Sequence, residues 1–138
     1  LDLINEPLDD LVKVSFNNSQ EVLSNCEIGI ITSGTATLEA SLLRTPCVTL
    51  YKTGWLSFRL IKPLLMIDNF SLPNLLAGKE LLPELLQDEV NVENIINAIK
   101  EISLKGLDYY YKEFHAIHES LKAGSSETAA KEISHLID

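Results

Sequence analysis

The chain has 138 residues, 46% hydrophobic and 22% charged, so it is long and apolar enough to bury a core without disulfides or a structural metal, and it is not a disordered segment. Eleven basic against twenty acidic residues give a net charge of −9. That argues against a nucleic-acid partner, because binding a phosphate backbone needs clustered Lys and Arg.

Two cysteines, Cys26 and Cys47, are too few for a disulfide framework. Each lies among apolar neighbours, reads as a small core residue and fits a reducing compartment. No run of 18 apolar residues is present, so no membrane-spanning helix is expected. The start, LDLINEPLDD, is acidic and lacks the basic and apolar regions of a signal peptide. It also lacks an initiating Met, as expected of a fragment.

In chain order, Val12–Phe16 (VKVSF) alternates β-branched or aromatic with polar residues and predicts a strand. Asn18 and Glu21 have capping-box spacing and predict a short helix ending near Asn25. Glu27–Thr32 (EIGIIT) predicts a buried strand, since Ile28, Ile30 and Ile31 leave little room for a solvent face. After Ser33-Gly34-Thr35 comes a helix with Leu38, Leu42 and Leu43 on one side, stopped by Arg44-Thr45-Pro46. Cys47–Tyr51 predicts another buried strand, parallel to the previous one through a right-handed crossover.

Trp55–Lys62 predicts a helix interrupted by Pro63, Ser71-Leu72-Pro73-Asn74 a non-helical turn, and Leu75–Gln87 short helical pieces. Asn91 caps a helix over 92–103 with apolar positions Val92, Ile95, Ile96, Ile99 and Ile102, and Gly106 breaks it. A longer helix covers 108–122 up to Gly124, and Ser125 caps a last one over 127–137. The architecture is therefore α/β in residues 1–90 and helical in residues 91–138.

In open parallel sheets ligands bind where strands end and helices begin. Thr32-Ser33-Gly34-Thr35 is such a place. The following helix offers free N–H groups and a positive dipole end, Gly34 lets backbone approach a ligand, and Ser33 and Thr35 bring hydroxyls. These suit a phosphate or diphosphate. A plain N-cap by Ser33 or Thr35 accounts for the same residues, and the common nucleotide fingerprints, G-x-x-x-x-G-K-[ST] and G-x-G-x-x-G, are absent. Glu39 lies one turn further up the same helix. A carboxylate there can accept both hydrogen bonds of a ribose diol, or simply face the helix dipole.

Ser33–Leu43 (SGTATLEASLL), then Thr45-Pro46, Tyr51-Lys52, Ser71–Lys79 (SLPNLLAGK), Glu80-Leu81 and Pro83–Gln87 (PELLQ), occur in this order. Over these residues the chain resembles the C-terminal half of the lipid-A-disaccharide synthases. The resemblance implies a Rossmann-like parallel sheet, here a partial C-terminal domain of a GT-B glycosyltransferase followed by C-terminal helices. It implies the inverting transfer of a sugar from UDP-2,3-diacylglucosamine to 2,3-diacylglucosamine 1-phosphate, giving lipid A disaccharide 1-phosphate and UDP, with no metal or other cofactor. It implies that Ser33, Gly34, Thr35 and Ala36 meet the diphosphate, that Glu39 holds the ribose, and that Asn74 contacts the donor sugar or diphosphate, with Tyr51 and Gln87 as weaker contacts.

A full enzyme of the resembled family is more than twice as long. The acceptor domain, where an acidic general base is expected, and the first strands of the donor domain with an arginine for the donor lie outside this sequence. The catalytic residues are therefore unknown, and the chain is expected to be inactive alone. Residues 40–67 carry Arg44, Lys52, Arg59 and Lys62 with no acid, while the rest holds seven basic and twenty acidic residues. Trp55, Phe58, Arg59 and Lys62 thus read as membrane-contact residues, or as a core-packed helix whose cations reach solvent. With acylated substrates, this implies a cytoplasmic protein at the inner-membrane surface of a Gram-negative-type bacterium.

Tyr109-Tyr110-Tyr111 cannot all face one side of a helix, so at least one is exposed or at a contact. His115 and His118 have helical metal-ligand spacing but no supporting ligands, and read as structural. The resemblance admits a homodimer through the helices of 109–137. Two other readings stand beside this one: a UDP-N-acetylglucosamine 2-epimerase or similar GT-B relative, which shares the phosphate turn but against which SLPNLLAG speaks, and a non-catalytic α/β interaction domain whose Ser33-Gly34-Thr35 turn is only a cap.

Overall fold

In the computed structural model, which describes residues 12–32, 34–52, 69–122 and 133–134, the first regular element is a helix rather than the expected strand. Val12, Val14 and Phe16 are exposed and belong to no sheet. Alternation supplies strand propensity, but a strand also needs a partner, and none of the described residues pairs with this segment. Helix α1 (Ser19–Ser24) follows Asn18. The capping-box pair is present in altered form: the Asn18 amide donates to the Glu21 carboxylate instead of capping the backbone. Cys26 is exposed, not a core residue, because it falls in the open turn after α1.

Strand β1 (Gly29–Thr32) lies parallel to β2 (Cys47–Tyr51), with Gly29 opposite Cys47 and Thr32 opposite Leu50. Strand β3 (Glu84–Leu86) pairs with the other side of β2, also in parallel, to give the order β1-β2-β3. β2 is therefore central, and Cys47, Val48 and Thr49 are fully enclosed. β1 is an edge strand among the described residues, and Ile30 is 53% exposed, contrary to the expectation of a strand buried on both faces. β3 falls inside the leucine-rich stretch expected to be helical. Three residues are too few to show a period.

The crossover helix α2 (Thr35–Leu42) buries Thr37, Ala40 and Ser41, while Leu42 is exposed. Of the expected leucine face, Leu38 packs against the core and Leu43 is partly buried, but Leu42 turns outward. Small residues let α2 lie close on β1 and β2, and their hydroxyls become buriable by turning back on the helix. Thr37 Oγ1 donates to the Gly34 carbonyl and Ser41 Oγ to the Leu38 carbonyl, both at 2.8 Å. Arg44 ends α2 at φ +65°, its N–H donating to the Ser41 carbonyl and that of Thr45 to the Ala40 carbonyl. This is the reciprocal left-handed stop usually given to glycine.

Helix α3 (Leu72–Ala77) replaces the expected non-helical turn. Pro73 is tolerated because the first-turn N–H groups have no intrahelical partner to lose. Gly78, at φ +64°, closes α3. A 3-10 turn (Gln87–Glu89) leads from β3 to α4 (Val92–Lys105), whose cap is Asn91 as expected: its side chain accepts from Asn94 N–H at 2.9 Å. Gly106 separates α4 from α5 (Leu107–Lys122).

Ala98 and Ile102 of α4 are buried, but Val92 and Ile96 are exposed, so the buried stripe begins below the first turn. In α5 the buried residues are Tyr110, Phe114 and Ile117, while Tyr109 and Tyr111 are exposed. α4 packs on β2, and α5 packs on α2 and α3. One core therefore runs from Ala40 and Val48 to Ile102, Tyr110 and Phe114. His115 and His118 lie on the exposed face of α5. The helices expected around 55–62 and 127–137 lie largely outside the described residues.

Candidate functional site

Three parallel strands put their carboxyl ends on one edge, at Thr32, Tyr51 and Leu86. The register fixes them side by side, with Thr32 opposite Leu50 and Tyr51 opposite Leu86. That edge carries Gly34, Thr35 and Ala36 after β1, Tyr51 at the end of β2, and Gln87 after β3. Ser33, and Trp55, Phe58, Arg59 and Lys62, which the sequence put forward for membrane contact, lie outside the described residues.

Gly34 has φ +123° and ψ −157°, a conformation open to glycine and strained for other residues. A Cβ placed there would meet nothing within 4 Å. The glycine is therefore needed for backbone shape, and the space above it is open. It is the residue before the first turn of α2, and among the described residues no side chain caps that turn. The plain-cap reading of Thr35 accordingly fails: Thr35 sits inside the helix, with its side chain exposed. The leading N–H groups of α2 have no intrahelical acceptor, and the dipole end adds a partial positive charge.

Glu39 is partly buried on α2 and makes no side-chain hydrogen bond or ion pair among the described residues. Partly enclosed carboxylates usually find a partner inside the protein, so its acceptors are available. Tyr51 is partly buried, its ring stacked on Phe70 with centroids 6.4 Å apart and planes 17° from parallel. Gln87 is held at φ +51°.

Asn74 differs from its sequence-based expectation. It is fully buried, and its amide is saturated within the chain. Nδ2 donates to the Leu82 carbonyl and to Glu84 Oε1, both at 2.8 Å, while Oδ1 accepts from the N–H groups of Leu81 at 3.0 Å and Leu82 at 2.8 Å. Two donors and two lone pairs are all an asparagine side chain has. No capacity is left for a sugar or diphosphate, so the direct contact is replaced by a structural tie. Sequence reasoning also passed over Glu84, whose carboxylate accepts from Phe70 N–H at 2.8 Å and Ser71 N–H at 2.7 Å. Nothing in the spacing of an acid ten residues after an asparagine signals this pair.

Burial pushes the Cys47 thiol up to about 12 against a small opposing effect of the Thr49 hydroxyl, so Cys47 is inert at neutral pH. A cavity of about 710 Å³ lies between Lys13–Ser19 and α1, lined also by Val22, Asn25 and Cys26. None of the candidate binding residues borders it.

A parallel sheet with a glycine-bent turn at its carboxyl edge, leading into a helix tip uncapped among the described residues, is the layout of an open α/β domain. Residues 5–136 match the family model described as lipid-A-disaccharide synthetase, and the chain belongs to that family. It is 38% identical over 122 residues to the lipid-A-disaccharide synthase of Colwellia psychrerythraea (88% of this chain, 31% of that protein). It is 40% identical over 112 residues to that of Idiomarina loihiensis (81% and 30%) and 41% identical over 121 residues to that of Azotobacter vinelandii (87% and 31%). The chain thus spans about a third of the length of these relatives. Among the described residues no helix is long and apolar enough to cross a membrane.

Proposed function

We propose that the chain is the nucleotide-sugar-binding part of a GT-B lipid-A-disaccharide synthase, which transfers a sugar with inversion from UDP-2,3-diacylglucosamine to 2,3-diacylglucosamine 1-phosphate. The products are lipid A disaccharide 1-phosphate and UDP. The observation that carries this is the pairing of an uncapped helix tip at Gly34-Thr35 with the unpartnered Glu39 carboxylate one turn higher on α2.

Backbone N–H groups at Thr35 and Ala36, with the hydroxyls of Ser33 and Thr35, receive the diphosphate and stabilise the negative charge that grows on it as the glycosidic bond to the donor breaks. Glu39 accepts the two ribose hydroxyls. It stands far enough up the helix not to repel the diphosphate. Tyr51 and Gln87 border the donor-sugar side of the edge. The chain's role in this reading is binding and leaving-group stabilisation. The proton of the attacking hydroxyl goes to a base outside this sequence, and without that base the 138 residues do not catalyse transfer.

The substrates are acylated, so the complete enzyme works at a bilayer. Trp55, Phe58, Arg59 and Lys62 supply the apolar and cationic groups of a peripheral contact on the cytoplasmic side. Residues 109–137 supply a homodimer contact. The family match favours this reading over an epimerase or a purely structural module. Calorimetric titration of UDP into the chain tests it: saturable binding by the parent and its loss in Glu39→Ala are expected, and a parent chain that gives no response to UDP overturns it.

A further inference from the structure

Glu84 is the first residue of β3, yet its carboxylate is spent on a different element. Oε2 accepts from Phe70 N–H at 2.8 Å, and Oε1 accepts from Ser71 N–H at 2.7 Å and Asn74 Nδ2 at 2.8 Å. Asn74 in turn pins Leu81 and Leu82. One carboxylate and one amide thus join the entry to α3, α3 itself and the approach to β3. Hydrogen bonds to an ionised acceptor are the stronger kind, and Glu84 is partly buried, where water competes less. The segment it grips contains Phe70, whose ring stacks on Tyr51. Tyr51 ends β2 opposite Leu86, beside the turn at Gln87.

We propose that Glu84 is a positioning residue for the ligand edge. It fixes the Phe70 backbone, Phe70 fixes the Tyr51 ring, and Tyr51 stands one residue beyond Leu50, the partner of Thr32 at the end of the strand that leads into the Gly34–Ala36 tip. Glu84 itself meets no ligand. The inference rests on the reading that this edge binds UDP. It goes further by naming an acid outside the edge that controls it.

The test uses the 138-residue chain at a temperature where far-UV circular dichroism shows every variant fully folded. UDP affinity is measured by calorimetry, and the Phe70 and Ser71 amides are followed by NMR. Glu84→Gln presents an NH2 where an N–H donor needs an acceptor, so one side of the grip is lost. The expected result is UDP binding weakened about tenfold, with displaced Phe70 and Ser71 resonances. Phe70→Leu removes the relay while leaving Glu84 in place, and is expected to weaken UDP similarly. Phe114→Leu loosens the core between α5 and its neighbours and is expected to bind UDP as the parent does. Parental affinity in Glu84→Gln or in Phe70→Leu overturns the inference. So does an equal loss in Phe114→Leu, which would mark the effect as general loosening. A parent chain that does not bind UDP removes the underlying reading itself, and that result is recognised before any variant is compared.

Discussion

Asn74 Nδ2 and Glu84 Oε1 lie 2.8 Å apart, and between them the two side chains accept from four backbone N–H groups. The pair explains why a proline-containing segment of six helical residues holds a fixed place beside the sheet. Asn74→Ala leaves the N–H groups of Leu81 and Leu82 and the Leu82 carbonyl without partners in the interior. A loss of about 3 kcal/mol in urea unfolding is expected, since each buried group left unmade costs about 1–3 kcal/mol and local relaxation recovers part of it. A loss under about 0.5 kcal/mol would mean that Asn74 is not the tie described.

Gly34 stands at φ +123° with free space where a Cβ would go. Gly34→Ala therefore tests backbone shape without a steric clash. A destabilisation of about 1–2 kcal/mol is expected from strain alone. The turn can escape that strain only by moving, so UDP binding should fall more steeply than stability does. Calorimetry of UDP beside urea unfolding of the same variant separates the two effects.

What the sequence made legible follows from how local each signal is. β2, the Asn91 cap, the Gly106 break and the α5 helix rest on neighbouring residues, and they appear where expected. The parallel pairing of β1 and β2 followed from the short helix between them. The misses are tertiary. Val12–Phe16 has strand character but no pairing partner among the described residues, and β3 is too short for any period. α2 buries Thr37 and Ser41 while Leu42 is exposed, because closeness to the sheet outweighs side-chain hydrophobicity once the hydroxyls bond within the helix. The positions of Gly34 just before α2 and of Glu39 one turn along it were legible because turn and helix spacing place them. The role of Asn74 was not, because its four hydrogen bonds reach three residues, Leu81, Leu82 and Glu84, seven to ten positions away in a segment whose path the sequence does not reveal.

Glu39 has no protein partner among the described residues, so removing its carboxylate should cost the fold little. Glu39→Ala is expected to change urea stability by less than about 0.5 kcal/mol and to weaken UDP by at least about a hundredfold, the value of two hydrogen bonds to a charged acceptor at about 1.5 kcal/mol or more each. Comparing UDP with deoxy-UDP in the parent gives the same answer from the ligand side. Equal affinities for the two nucleotides would assign Glu39 to something other than the ribose.

The two cysteines differ sharply in environment, and this gives both a labelling and a pH prediction. Cys26 is exposed and Cys47 is enclosed, with its thiol pushed up from 9.0 to about 12 by burial. At neutral pH a thiol reagent should modify one cysteine in the native chain and both in urea. The raised value means that the folded state holds the Cys47 proton more tightly than the unfolded state does. The stability linked to that proton is fully present below pH 9 and declines as the pH rises from 9 towards 12. The gap corresponds to at most roughly 4 kcal/mol. Cys47→Ala removes this group while leaving the other titrating side chains in place. Its stability should therefore fall less between pH 8 and pH 10.5, about the limits where Tyr and Lys also begin to titrate, than that of the parent. Parallel curves for the two proteins would show that Cys47 is not the source of the alkaline loss.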